Sequence, residues 1–452
     1  MKKFVPSLGL ILVFACANSA FAQLNTTFKK VFDYFLDPTI GLIRTSSGVF
    51  HGPHYRPAAR DADSLLKPAL NNLIATNVAS FPLSSTSAGV TFDFSSGRPV
   101  NIIESLGPIF AETGATLGKG RLNVEFSYSY LNLNRLRGIP LDGTRFTFVH
   151  SDEDPSNELG NPPYENDYID MFLNLDVNAS ISAMFATYGL TNKLDISVAV
   201  PLVHVSLSGD AQASIAAFTF GRLDPANPNR EGAAHRFGGT ILNPSLEADT
   251  VYSESATGLG DVALRVKYSF LRGADVDLAA LLDVRLPTGD TANFMGTGVT
   301  NTRISGIASK KIGSFTPHLN LSYERRPAKD DSDQFELIAG FDQKIASGVT
   351  FAAEFFGAFA LDNGETIHFF PQETKTISDS FTSSDNRTGA LVRHIDLTNI
   401  PDRKNDQTLD ASLGFRVAFS EQFLILGNVI LPLNDGGLRS SVAPTIGATI
   451  NF

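Results

Sequence analysis

The sequence contains no tryptophan and a single cysteine, Cys16. One thiol cannot build a disulfide framework, which excludes the small stapled folds of secreted proteins. A cationic surplus is also missing: 36 Lys and Arg stand against 47 Asp and Glu, for a formal net charge of −11. Neutralising phosphates takes clustered basic side chains, so nucleic acid is excluded as a partner. Downstream of the N-terminal segment, no stretch approaches the roughly 20 apolar residues that a helix needs to cross a bilayer. Catalytic and cofactor signatures are lacking too. There is no Gly-x-Ser-x-Gly elbow, and neither Gly258-x-Gly260 nor Gly296-x-Gly298 leads into the Lys and Ser or Thr of a phosphate loop. The expectation is a protein that is not an enzyme and carries no cofactor.

What is present begins with an export signal. Met1-Lys2-Lys3 is positive, Phe4 to Cys16 is nearly all apolar, and Ala20-Phe21-Ala22 supplies a small-residue cleavage site. Residues 1–22 are therefore expected to be a signal peptide, and cleavage before Gln23 would remove Cys16. The rival is lipidation of Cys16, but Phe14 stands where lipoprotein signals carry a small residue.

From about residue 121 to the end, segments of some ten residues alternate apolar with polar or small side chains. Leu122, Val124, Phe126, Tyr128 and Tyr130 share one face of the first segment. In the next, Leu173, Leu175, Val177, Ala179, Ile181, Ala183 and Phe185 oppose Asn174, Asp176, Asn178, Ser180 and Ser182. Further along, Leu278, Ala280, Leu282, Val284 and Leu286 oppose Asp277, Asp283 and Arg285. Such strands describe either a sandwich with the apolar face inside or a membrane barrel with that face against lipid. Three features favour lipid. Connections alternate between tight turns (after Tyr188, Leu271, Ile312, Ile345 and Phe419) and long polar segments near 138–167, 208–257, 287–300 and 361–406. Tyr and Phe recur at the ends of the apolar faces, as an interfacial girdle requires. The chain also ends on an alternating strand, Thr445 to Asn451, with Phe452 last. A terminal aromatic of this kind serves outer-membrane barrels as an assembly signal.

Alternating segments near 121–135, 168–188, 193–207, 258–271, 275–286, 300–312, 315–326, 334–344, 349–360, 407–419, 423–433 and 438–452 predict an all-β fold. It is an antiparallel transmembrane β-barrel of about 12 strands (12–14), spanning residues 121–452, in the outer membrane of a Gram-negative bacterium. Residues 23–120 lack this pattern. Phe28 to Phe35 and Ala62 to Ala75 read as short helices, the second with Leu65, Leu66, Leu70 and Leu73 at helical spacing, and Gly89 to Phe94 as a small strand. This part is expected to be a partly helical plug or periplasmic segment.

Side chains opposite the apolar faces are the candidate lumen lining: Asp176, Arg265, Lys267, Asp283, Arg285, His318, Glu324, Glu354 and Arg416. Charges inside a barrel mark a water-filled or plugged interior, and these fit a selectivity filter or a salt-bridge network around a plug. His318 with Ser322 and Glu324 is the nearest approach to a catalytic group, better explained as lumen hydrogen bonding. His51-x-x-His54 could be half a metal site, but no third ligand stands near it in sequence, so no metal is expected. The run Asp152-Glu153-Asp154, with Glu158, Glu165, Asp167 and Asp170, reads as a solvated external loop, or as a bridge through divalent cations to lipopolysaccharide.

Several turn and strand-start motifs occur together. They are Ser105-Leu106-Gly107-Pro108-Ile109-Phe110-Ala111-Glu112, Thr116-Leu117-Gly118-Lys119-Gly120, Tyr188-Gly189-Leu190-Thr191-Asn192-Lys193-Leu194-Asp195, Gly258-Leu259-Gly260-Asp261, and Leu286-Pro287-Thr288-Gly289-Asp290 with Met295-Gly296-Thr297-Gly298. From about residue 105 to the C-terminus the chain resembles a family of outer-membrane proteins named for the meta-cleavage pathway of phenol degradation, itself similar to FadL-type long-chain fatty acid transporters. The resemblance implies passive uptake of small hydrophobic or aromatic compounds, released to the periplasm or sideways into the membrane. It also implies partners in outer-membrane lipid, lipopolysaccharide and the barrel assembly machinery. A diffusion porin for polar solutes and a structural or adhesive barrel are the alternatives.

Overall fold

The computed structural model describes residues 23–37, 41–45, 48–55, 67–79, 81–82, 105–152, 159, 163–217, 235–240, 243–273, 276–328, 331–361, 374–382, 388–403, 406–420 and 422–452. The signal peptide and the small strand expected at Gly89 to Phe94 lie outside them. Among the described residues, 12 antiparallel strands close into a barrel. In chain order these are β1 (Leu122–Leu136), β2 (Tyr168–Gly189), β3 (Leu194–Ala216), β4 (Ala263–Arg272), β5 (Val276–Arg285) and β6 (Asn301–Lys310). Then follow β7 (Phe315–Arg325), β8 (Gln334–Ala346), β9 (Val349–Ala360), β10 (Thr408–Ala418), β11 (Phe423–Pro432) and β12 (Ala443–Asn451). Each strand pairs with its neighbours in sequence, and β12 returns to β1 in the register Asn123↔Asn451 to Ser129↔Thr445. Side chains reinforce this seam: Asn123 Nδ2 donates to Asn451 Oδ1 at 2.7 Å, and the Ser129 and Thr445 hydroxyls meet at 2.8 Å.

Strands β4 to β12 are 9 to 13 residues long, close to the length a tilted strand needs to span the hydrocarbon. Their outward rows are apolar and exposed, as at Leu264, Val266, Tyr268 and Phe270 on β4, and Leu319, Leu321 and Tyr323 on β7. Inward rows are polar and buried: Asp277, Asp283 and Arg285 on β5, and His318, Asn320, Ser322 and Glu324 on β7. In water such an exterior would be an aggregation surface; against lipid it is the required one. This is the polarity of a transmembrane barrel.

The wall is much taller on one side. Strands β2 and β3 run for 22 and 23 residues, and the ribbon Glu247–Leu259 continues β4 upward along β3, from Glu247↔Ser214 to Leu259↔Leu202. Above the membrane the same alternation changes its chemistry without changing its parity. On β1 the outward row goes from Phe126, Tyr128 and Tyr130 to Asn132, while the inward row goes from Glu125, Ser127 and Ser129 to the buried Leu131 and Leu133. On β3 the outward Leu202 is followed by His204 and Ser206, and the inward row becomes Val203, Val205 and Leu207. Tyr130 marks the boundary, its hydroxyl donating to Asn178 Oδ1 at 2.6 Å. Val198→Arg, on the lipid-facing row of β3, is expected to cost about 2–4 kcal/mol. Gln212→Arg, higher on the same row, is expected to cost less than about 0.5 kcal/mol. Urea unfolding in phospholipid vesicles checks both, and equal costs would rule out this membrane boundary.

The tall wall forces one correction. The apolar row Leu173 to Phe185 on β2 faces inward and is buried, rather than facing lipid. Its upper part covers a second core, the kind a water-soluble domain has. Helix α1 (Thr27–Leu36) presses Phe28, Val31, Phe32 and Phe35 into it, and Phe32 meets Phe146 and Phe148 edge-on at 6.2 and 6.4 Å. Each such ring contributes about 1.5–3 kcal/mol of burial. Helix α2 (Lys67–Ala79) lies beside Leu438–Ser440 and buries Leu70, Ile74 and Val78. The described residues of the loop expected at 208–257 are largely strand for the same reason, since β3 and the ribbon Glu247–Leu259 form the wall around this core.

Candidate functional site

The glycine-rich motifs at the rim form one knot. Asp261 accepts from Gly289 N–H and Thr297 N–H, both at 2.9 Å. A Cβ on Gly296 would lie 2.4 Å from Asp261 Oδ1 and 2.8 Å from Gly289 Cα, so neither strand of the knot has room for a side chain there. The knot sits where the Glu247–Leu259 ribbon breaks at Gly260 and β4 begins, and Gly260 N–H donates to Pro201 O at 2.8 Å. These glycines are structural.

The functional groups lie in the lumen. The segment of residues 105–117 crosses the periplasmic half of the barrel and is held by inward-facing side chains of successive strands. Glu354 on β9 accepts the backbone N–H groups of Ile109, Phe110 and Ala111 at 2.9–3.2 Å. Asn320 on β7 takes Glu112 N–H at 2.7 Å and returns its own amide to Glu112 O at 2.8 Å. Gly114 N–H donates to Ser309 on β6 at 3.1 Å, and Leu117 N–H to Asp195 on β3 at 2.9 Å. Arg416 on β10 donates to Pro108 O at 2.9 Å. An irregular segment has no ladder of its own, and these side chains supply the partners that its buried amides require.

The charges are paired around the same segment. Glu112 meets Lys267 Nζ at 3.1 Å and Arg265 Nη1 at 4.0 Å, and Arg265 Nε meets Asp283 at 2.8 Å. Farther up, Arg303 bridges Glu324 at 3.2 Å and Glu336 at 3.3 Å, while Arg326 also reaches Glu324 at 3.2 Å. Arg285 donates to Ala79 O, at the end of α2. His318 stands between Asp342 at 3.4 Å and Glu354 at 3.9 Å. Ser322 gives its hydroxyl to Ser305 at 2.8 Å, so the serine beside this histidine is engaged elsewhere. Buried charge is tolerated only when paired, and Glu112, Arg265, Lys267, Asp283, Arg303, Glu324 and Arg326 meet that condition.

Of the residues singled out from the sequence, Arg265, Lys267, Asp283, Arg285, His318, Glu324, Glu354 and Arg416 all point inward and are buried. Asp176 does not. It is exposed on the outer face of β2, above the membrane, and accepts from Asn132 Nδ2 at 3.0 Å. The inner wall is apolar at that height, so the polar row of β2 turns outward there. The acidic loop is also corrected in part. Glu165 and Asp167 are fully buried rather than solvated, and Asp170 accepts from the Thr147 hydroxyl at 2.5 Å, while residues 153–158 lie outside the described positions. Glu125, Arg303, Asp342 and Glu336 belong to the lumen network and follow from the same alternation. Glu112 had no such signal, because it lies outside any strand.

Between the crossing segment below and α2 above lies a cavity of about 390 Å³. Phe110, Leu131, Leu133 and Phe356 give its lining an apolar part, and Arg303 and Glu336 are among its charged groups. A second buried pair fixes its outer rim. Arg137, at φ 51° and almost fully buried, forks onto Asp406 with two bonds of 2.9 Å.

A lipid-facing exterior, a closed ladder and a lumen crossed by its own chain define a plugged transmembrane β-barrel of the outer-membrane type. Residues 170–428 match the family model described as the MetA-pathway of phenol degradation, and the chain belongs to that family. Its place is the outer membrane of a Gram-negative bacterium. Comparison with curated proteins gives no match. Among solved structures the chain is similar to an outer membrane channel from Pseudomonas putida F1, with 11% identity, 75% of this chain and 97% of that one covered, and a TM-score of 0.40. It is also similar to the CymD monoaromatic hydrocarbon channel (10% identity, 75% and 91% covered, TM-score 0.32) and to a FadL homologue of Pseudomonas aeruginosa (10%, 73% and 88%, TM-score 0.29).

Proposed function

We propose that this protein is an outer-membrane channel for passive uptake of small hydrophobic or aromatic compounds. The observation that carries the reading is the cavity above the crossing segment, about 390 Å³ and lined in part by Phe110, Leu131, Leu133 and Phe356. A compartment of that size holds one small ring compound. The outer leaflet's polysaccharide resists apolar solutes, and a protein path with an apolar station bypasses it. A diffusion porin would keep an open aqueous bore, whereas here residues 105–117 and their ion pairs cross the lumen. The family's link to phenol degradation points to aromatic solutes as the substrate class. The lumen charges act in this reading as the plug's anchor rather than as a selectivity filter. Phe452, exposed at the periplasmic rim beyond the seam, acts as the signal to the assembly machinery.

The test is uptake of radiolabelled phenol and toluene by cells with and without the gene, beside liposome swelling with sugars. Faster aromatic uptake with little sugar flux is expected. Ready sugar flux, or aromatic uptake that is indifferent to the gene, would overturn the reading.

A further inference from the structure

The pair His51 and His54, isolated in the sequence, is not isolated in the fold. The short turn Gly52–His54 lies against the extracellular end of the barrel, where His150 follows the strand Thr144–Val149 and His235 opens the two-residue strand His235–Arg236. Four imidazoles meet there. His51 stacks on His54 with ring centres 4.1 Å apart, and lies 4.8 Å from His235 and 5.1 Å from His150. His51 Nε2 and His150 Nε2 are 2.9 Å apart, and one nitrogen from each of His51, His150 and His235 falls within 4.8 Å of the others. His150 and His235 are almost completely buried. Tyr55, also buried, closes one wall with its ring edge-on to both.

The second layer of contacts orients the nitrogens. His235 Nδ1 lies 3.0 Å from a carboxylate oxygen of the buried Asp167, and His150 Nδ1 lies 2.6 Å from Ser151 O. Both partners accept, so Nδ1 is the donor in each ring and Nε2 is the nitrogen turned toward the cluster. A carboxylate or carbonyl behind the far nitrogen is how ligating histidines are fixed in metal sites. Nitrogen ligands at 2.0–2.1 Å around a tetrahedral ion sit about 3.3 Å from one another, within the spread seen here. Imidazole ligands suit zinc and its first-row neighbours, whereas magnesium and calcium take oxygen.

We infer that His51, His150 and His235, with His54 at the edge and Asp167 behind His235, form a binding site for a divalent transition-metal ion of the zinc type. The site joins three separate pieces of chain: the N-terminal segment, the connection between β1 and β2, and the connection between β3 and β4. An ion bound there cross-links the N-terminal cap to the extracellular wall.

The test uses the full chain in detergent, stripped with chelator and titrated with Zn²⁺ and Co²⁺. One saturable ion per chain is expected, with the visible absorption of tetrahedral Co²⁺ and a higher unfolding temperature. His150→Gln and His235→Gln should each weaken binding at least 100-fold, and Asp167→Asn by about 10–100-fold. His204→Gln, on the exposed outer face beside Thr257, should leave it unchanged. Should the buried variants fail to assemble, His51→Gln, at the partly exposed edge, decides by the same titration. Absence of saturable binding, or equal affinity in the wild type and His51→Gln or His150→Gln, would overturn the inference.

Discussion

Glu354→Ala is expected to raise the conductance of the barrel in planar bilayers by at least tenfold. The carboxylate accepts three consecutive N–H groups from the crossing segment. Hydrogen bonds to a charged acceptor contribute about 1.5–3 kcal/mol each. Losing even two of them removes about 3 kcal/mol from the closed arrangement. At about 1.4 kcal/mol per factor of ten, the released population rises about a hundredfold. Glu354→Gln should fall between the two, because an amide oxygen still accepts but without charge. Wild-type conductance in Glu354→Ala would mean that the segment is held mainly by Asn320, Ser309 and Asp195, and that Glu354 is a minor anchor.

Ala358→Trp should reduce aromatic uptake about tenfold or more while leaving the barrel assembled. Ala358 faces inward on β9 and lines the cavity. An indole there occupies much of the space that a small ring compound would use, and a filled cavity offers no binding station. Ala353→Trp, on the outward row of the same strand, adds equal bulk to the lipid side and should leave uptake unchanged. Heat modifiability on gels establishes that both variants are folded. Equal uptake by the two would place the route elsewhere in the wall.

The strands were legible because a membrane barrel writes its register as a two-residue period. The start and end of β5, β7 and β9 fall within a residue or so of their alternating segments. Parity also found most of the lumen charges, since Asp283, Glu324 and Arg416 sit opposite exposed leucines and phenylalanines. Alternation states which side chains share a face, however, and not which face is wet. Asp176 lies on the wet outer face for that reason: its strand extends above the bilayer, where the apolar row turns to an interior core and the polar row turns to water. The crossing segment lay beyond the reach of periodicity altogether. Glu112 is placed by Lys267 and Arg265, far along the chain, and no local pattern announces a segment held by side chains of distant strands. The histidine cluster has the same origin, since His51, His150 and His235 meet only through the packing of the N-terminal segment against the connections between β1 and β2 and between β3 and β4.

The route of the chain through its own barrel sets an order of events in assembly. Helix α1 packs at the extracellular end beside the Glu247–Leu259 ribbon, residues 105–117 lie inside the wall, and β1 then begins at the periplasmic end beside β12. The ring is sealed only when Asn451 pairs with Asn123, the last strand with the first. A folded α1 is too wide to be drawn afterwards through a lumen crossed by the chain that follows it. A cap that folds before closure must therefore reach the cell surface while the seam is still open. Zipping β12 onto β1 is then a latch, which fixes the plug within the pore at the moment the pore comes into being.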